Sequence, residues 1–211
     1  MREKKVMTIQ DISCVGQCSL TVALPIISAC GIETAILPSA VLSTHTGFQG
    51  FTFHDLSDDI QAIANHWKNE KICFDAIYSG YLGSVHQVDD VIALMNTLLT
   101  KNGEKIVDPA MADNGKLYTG FDQVFVQAMK RLCGQADVIL PNITEAALLT
   151  DSEYCMDNHS SEYIEHLLKK LGELGAKTVI LKGVMDRAGQ IGVIVYDVAS
   201  KEKLSYYTKK I

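Results

Sequence analysis

The side chains best suited to handling charge gather in the second half of the sequence. Asp108 closes a short apolar run, Lys105–Val107, and opens Asp108-Pro109-Ala110-Met111-Ala112-Asp113, followed by Asn114-Gly115-Lys116-Leu117-Tyr118. Two carboxylates near a strand end can coordinate Mg2+ through water or sense the charge of a phosphate. The competing reading makes Asp113 the neighbour of an Asn-Gly turn and Asp108 a structural hydrogen-bond partner near Pro109. Further on, Pro141-Asn142-Ile143-Thr144-Glu145 places Asn142 and Glu145 on one side of a helix start. A helix N-terminus favours anions, and a carboxylate there can hold a hydrated Mg2+ that bridges phosphates. Asn at an N-cap with Glu three residues on is equally the pattern of a capping box. Lys182-Gly183 ends another apolar run, where a lysine suits either a phosphate site or a solvated strand end.

The first half carries hydroxyls and rings instead. Asp11-Ile12-Ser13-Cys14-Val15-Gly16 follows the run Val6–Gln10 and suits hydrogen bonding to a small ligand, or capping of a helix that starts near Cys18. Ser43-Thr44-His45-Thr46-Gly47-Phe48 surrounds a glycine with hydroxyls, an imidazole and a ring. A planar heterocycle could stack there, although the same composition is commonplace in turns. Ser79-Gly80-Tyr81-Leu82-Gly83-Ser84 offers close approach and a ring face, but is neither a Walker A motif nor GxGxxG.

These groups need a scaffold, and the apolar pattern supplies one. Strands are expected at Val6–Gln10, Thr34–Leu37, Ala76–Ser79, Lys105–Val107, Val138–Leu140, Thr178–Leu181, Gly192–Tyr196 and Leu204–Tyr207. Between them, apolar residues recur at helical steps: Val88, Val91, Ile92, Met95, Leu98 and Leu99; Val124, Phe125, Ala128, Met129 and Leu132; and Tyr163, Ile164, Leu167, Leu168, Leu171 and Leu174. Alternation of this kind implies an α/β fold, a mostly parallel central sheet with helices on both faces. The last two strands have no helical spacing between them and form an antiparallel edge hairpin. Ligands in such sheets sit outside the carboxyl ends of the strands, where the segments above fall.

Composition sets the outer limits. The chain has 211 residues, 47% hydrophobic and 21% charged, which suits one globular domain over 1–211. Its formal charge of −6 argues against a nucleic-acid surface, which depends on clustered Lys and Arg. The basic cluster Lys201, Lys203, Lys209 and Lys210 reads as a solvated strand edge. Cys14, Cys18, Cys30, Cys73, Cys133 and Cys155 form no CxxC pair, as expected of reduced thiols in a cytoplasmic protein. No stretch approaches the roughly 18 apolar residues of a spanning helix, so no membrane is expected.

In this order and spacing, the segments Ser79–Ser84, Asp108-Pro109-x-Met111-x-Asp113 and Pro141-Asn142-x-x-Glu145, with His45-Thr46-Gly47, resemble the pyridoxal/pyridoxamine kinases. These belong to the ribokinase-like superfamily, which also holds the hydroxymethylpyrimidine kinases. The resemblance implies ATP-dependent phosphorylation of a vitamin B6 hydroxymethyl group, Mg2+, and a homodimer. It implies that Thr46, Tyr81 and Asp11 or Ser13 hold the pyridine ring, with His45 beside them. Asp108 and Asp113 would face phosphates and Mg2+, with Tyr118 near the transferred group. Asn142 and Glu145 would organise the metal through water, and Lys182 and Gly183 would meet nucleotide. In the first loop the B6 kinases often have a serine directly after the Ile-Gln pair; Asp11 stands there.

One departure stands out. The superfamily carries a late Gly-x-Gly-Asp signature whose backbone N–H groups form an anion hole and whose Asp takes the acceptor hydroxyl's proton. No Gly-Asp dipeptide occurs in the 211 residues, and Thr119-Gly120-Phe121-Asp122 lies on the wrong segment. The resemblance therefore places the general-base Asp beyond Ile211 and assigns that role to no residue of the chain. The expectation is a fold that stops short of the signature and its following helices, with weak activity and an apolar sheet face left open. A hydroxymethylpyrimidine kinase, or a non-catalytic B6 and nucleotide binder, are the alternatives.

Overall fold

The computed structural model describes residues 3–210. Ile211 lies outside the described residues, and so does the expectation attached to it, that the fold stops there short of its general-base Asp. The described residues form two compact units that divide between Ile106 and Val107.

In the first unit, β1 (Lys5–Ser13) pairs in parallel with β2 (Glu33–Leu42) and with β4 (Phe74–Ser79), while β3 (Phe53–Asp55) runs antiparallel to β2. With β5 (Leu99–Val107) the order is β5-β4-β1-β2-β3. Helices α1 (Leu20–Ala29), α2 (Ser57–Asn69) and α3 (Val85–Thr97) join these strands. Met7, Thr8, Ile9, Gln10 and Asp11 are buried one after another. An unbroken buried run, in place of alternation, is what a strand covered on both faces requires.

The second unit begins with a small hairpin, β6 (Ala112–Asp113) and β7 (Lys116–Leu117). There follow α4 (Gln123–Cys133), β8 (Val138–Ile139), α5 (Ile143–Leu149), α6 (Ser161–Gly172), β9 (Thr178–Val184), β10 (Gln190–Asp197) and β11 (Lys203–Lys209). Its sheet runs β11-β10-β9-β8, with β8 parallel to β9 and the last pairings antiparallel. The expected closing hairpin is thus β10–β11, on which Leu204 and Tyr206 are exposed.

Every expected strand is present, and several reach further. β1 continues through Asp11 to Ser13 and β2 through Leu42, so Asp11 and Ser13 lie within a strand and cap no helix. Their pairing survives an irregularity: Gln10 faces Pro38 but Ile12 faces Val41, which places one extra residue in β2. β9 likewise runs on to Val184 and takes in Lys182 and Gly183. The helical stripes end sooner than their periodicity. Leu99 opens β5, Leu174 lies beyond α6, and Val124 is 65% exposed at the start of α4. β3 and the β6–β7 hairpin, each three residues or fewer per strand, carry too little pattern to be read.

The Asn-Gly turn of that hairpin is built as its residues demand. Asn114 and Gly115 both have positive φ, 50° and 75°, the mark of a type I′ turn. A Cβ on Gly115 would stand 2.8 Å from the Tyr154 ring. Gly115→Ala is therefore expected to cost about 1–2 kcal/mol from the left-handed backbone alone, seen as a lower urea midpoint. Among the described residues all six cysteines are free thiols, and no helix is long and apolar enough to cross a membrane.

Candidate active site

In the second unit the end of β5, the start of α5 and the end of β9 bring three charged side chains together. Asp108 follows the last buried residue of β5, and its Oδ2 accepts from Lys182 Nζ at 2.5 Å. Its Oδ1 is buried with no hydrogen-bond partner among the described residues. Asn142 caps α5 by accepting from Glu145 N at 2.9 Å, and Glu145 Oε2 accepts from Asn142 N at 2.8 Å, so the capping box is real. Glu145 Oε1 also accepts from Met111 N at 3.2 Å, tying the helix start to the segment after Asp108. Asn142 Nδ2 adds a bond to Ala112 O, and Thr144 Oγ1 accepts from Gly115 N.

This cap does more than satisfy a helix end, because Glu145 is only 1% exposed. Burial, and then the neighbouring Asp108 charge, push its carboxyl up to about 8, against the pull of Lys182 and the two backbone N–H groups. Burial likewise raises Asp108, while the Lys182 ammonium opposes the shift. Lys182 is one cation between two crowded acids, which leaves negative charge for a second. The donor set fits a divalent ion held largely through water: two carboxylates, one with an orphaned buried oxygen. Among the described residues no three His, Cys, Asp or Glu side chains gather, so water and phosphate oxygens would complete its shell.

The remaining expected residues of this unit are less central. Asp113 is exposed on β6, and its carboxylate accepts from the backbone and side-chain nitrogens of Asn114. Tyr118 is half-buried, its N–H donating to Met111 O and its ring tilted against Phe121. Gly183 has φ 75°, and a Cβ there would meet nothing within 4 Å, leaving its backbone open to approach.

In the first unit, buried Asp11 accepts from Ser13 Oγ at 2.8 Å. Half-buried Tyr81 lies near two carboxylates: burial first, then the charges of Asp11 and Asp55, raise its phenol to about 12. The loops after β1 and β2 meet, since a Cβ on Gly16 would come within 2.8 Å of the His45 ring. His45 Nδ1 accepts from Gly47 N, and its ring meets Phe48 edge-on with centroids 4.8 Å apart. Thr46 is half-buried in the same loop. The structure thus groups Asp11 with Ser13 and Tyr81, and His45 with the Gly16 loop.

Sequence reading missed Ser39, Asp55 and Gln87, which tie the Tyr81 loop in place. Ser39 Oγ donates to Tyr81 O at 3.1 Å. Gln87 was detectable in outline, because Ser84-x-x-Gln87 is a capping-box pattern. Ser84 does cap α3, accepting from Gln87 N, but the Gln87 side chain reaches past it to Gly83.

The family model for phosphomethylpyrimidine kinases matches residues 29–210. The chain belongs to that family. Within it the likeness is to the pyridoxal kinases, as the loop segments implied. The chain is 36% identical to a Bacteroides thetaiotaomicron protein provisionally named a phosphomethylpyrimidine kinase and solved with pyridoxal; the match covers all of this chain and 74% of that one, with a TM-score of 0.93. It is 35% identical to the pyridoxal kinase of Lactobacillus plantarum, over 99% of this chain and 73% of that one, with a TM-score of 0.86. A curated pyridoxal kinase from Actinobacillus succinogenes is 30% identical over an alignment of 164 positions, and the match covers 72% of this chain and 54% of that kinase. The chain spans about half the length of the curated relatives it matches. The fold is ribokinase-like.

Proposed function

We propose that the protein takes part in ATP-dependent phosphorylation of the 5′-hydroxymethyl group of pyridoxal, pyridoxamine or pyridoxine. The observation that carries this reading is the 36% identity, over the full chain, to a protein solved with pyridoxal. The chemistry of each unit supports it. Asp11, Ser13, His45, Thr46 and Tyr81 supply hydroxyls, a carboxylate and rings suited to a substituted pyridine. Tyr81, its phenol held up at about 12, stays protonated at any ordinary pH and so is able to donate a hydrogen bond.

Asp108, Asp113, Tyr118, Asn142, Lys182 and Gly183 are the nucleotide side of the proposal. Lys182 offers a cation to a phosphate oxygen, and Gly183 a backbone that a phosphate or ribose can approach closely. Asp108 and Glu145 would hold Mg2+, which when bound neutralises the charge of the transferring phosphoryl group. A bound ion would also keep Glu145 ionised where burial alone favours its acid form. None of the residues above is proposed as the general base. The protein is proposed to work in the cytoplasm as a homodimer.

Two other readings stand beside this one. The family's description, phosphomethylpyrimidine kinase, favours a pyrimidine substrate, and a protein that binds the same ligands without transferring phosphate is the other. Calorimetric titration of the 211-residue chain with pyridoxal, hydroxymethylpyrimidine and Mg-ATP separates them. Pyridoxal is expected to bind more tightly than the pyrimidine. Tighter binding of the pyrimidine would move the assignment to it, and failure of every ligand to bind would end the kinase reading.

A further inference from the structure

We propose that Gln87 is the positioning residue of the heterocycle side, a buried amide that holds the Gly80–Ser84 loop, and Tyr81 within it, in its binding arrangement. The inference deepens the proposed B6 reading and rests on it for the identity of the ligand.

Gln87 stands in the first turn of α3 and is fully buried. Its Oε1 accepts from Gly83 N at 2.7 Å. Its Nε2 shares two N–H groups among Ser39 O at 2.9 Å, Asp55 Oδ1 at 3.0 Å and Ser57 Oγ at 3.0 Å. The amide has one possible orientation, because a backbone N–H only donates while a carbonyl and a carboxylate only accept. One side chain therefore joins the loop after β4 to the middle of β2 and to the β3–α2 junction.

The partners are arranged for it. The extra residue in β2 falls between Pro38 and Val41, and Ser39 O there accepts from Leu56 N as well as from Gln87. Asp55 Oδ1 also accepts from Ser57 N and Ser57 Oγ. Partial burial works against its charge, but the Ser57 and Gln87 hydrogen bonds outweigh that and hold its carboxyl below the usual range. Asp55 is one of the charges facing Tyr81, and Ser39 Oγ holds the Tyr81 carbonyl. Without the Gln87 amide, Gly83 N–H would lose its acceptor, while Ser39 O would keep only Leu56 N.

The test uses the 211-residue chain and two variants, Gln87→Met and Asp55→Ala. Gln87→Met is expected to weaken pyridoxal binding about tenfold and leave Mg-ADP binding within about twofold. In a Tyr81→Phe background the same change should cost less than about threefold, because an effect relayed through Tyr81 is not additive with its removal. A purely structural role would weaken both ligands alike or act additively with Tyr81→Phe, and either result overturns the proposal. Asp55 is exposed, so Asp55→Ala should fold even if Gln87→Met does not. It frees one end of the clamp and should weaken pyridoxal about threefold; an unchanged value overturns the proposal. Amide exchange at Gly83 in the ligand-free protein stands apart from the ligand question. Were the parent chain to bind no pyridoxal, the B6 reading would fail, while faster Gly83 exchange in Gln87→Met would still uphold the anchor and unchanged exchange would remove it.

Discussion

A Lys182→Met variant is expected to lose about 2 kcal/mol of stability near pH 8, short of the 3–5 kcal/mol for breaking a fully buried pair because the lysine is partly solvated. Most of that loss should return near pH 5. Asp108 and Glu145 share one partly dry corner, and Lys182 is the only cation that contacts either among the described residues. Without it, both must ionise against burial and against each other, or stay protonated. The sign follows from the direction of the shift. The folded Glu145 carboxyl sits at about 8, above its ordinary 4.5. Its contribution is therefore complete at low pH and declines as pH climbs through the interval between those values. The intact protein should already show that decline in metal-free buffer, and Glu145→Gln should flatten it. Adding Asp108→Asn to Lys182→Met should restore much of the lost stability. Urea midpoints across pH decide the matter; a pH-independent loss in Lys182→Met would disprove the shared-charge account.

The second large effect concerns turnover. The 211-residue chain is expected to bind pyridoxal and Mg-ATP yet transfer phosphate at least about 10³-fold more slowly than the 1–100 per second typical of kinases. Positioned proton removal contributes roughly 10²–10⁴-fold, and an anion hole a further 10²–10³-fold. In the superfamily both come from Gly-x-Gly-Asp, and these residues contain no Gly-Asp pair. Glu145 offers no replacement, since both its oxygens are engaged by backbone N–H groups of Met111 and Asn142. A coupled ADP-release assay measures this directly, and turnover near one per second would show that another group does the work.

What could be read without coordinates divides along physical lines. The strands were legible because buried parallel strands are short, apolar-rich and β-branched, as in Val6–Gln10 and Thr178–Leu181. Asp108, Asn142 and Glu145 were legible because each stands at a strand end or helix start, and Lys182 because it closes the apolar run Thr178–Leu181, although the strand itself continues to Val184. Whether Asn142 and Glu145 formed a cap or a charge site could not be decided from spacing, and the structure shows why. They form the cap, and its glutamate is also buried beside Asp108. Gln87 and Asp55 stayed hidden because their meaning lies in contacts about 30 residues apart. The capping-box spacing hints at Gln87 as a helix-start residue, but not at a side chain that reaches Gly83, Ser39 and Asp55. The stretch of β1 past Gln10 was missed for a related reason: Asp11 and Ser13 are polar, and only the ladder with β2 shows that the strand goes on.

The extra residue in β2 sets a rule for how this protein can change. A one-residue deletion between Pro38 and Val41 would restore even pairing, with Val41 still opposite Ile12 and Leu42 opposite Ser13, but it would straighten the bulge from which Ser39 holds the Tyr81 loop directly and through Gln87. Such a deletion leaves most of the backbone ladder intact. Its damage would fall on what the loop presents to a ligand, so length variation at this point is a route to altered molecular preference, with the scaffold itself preserved.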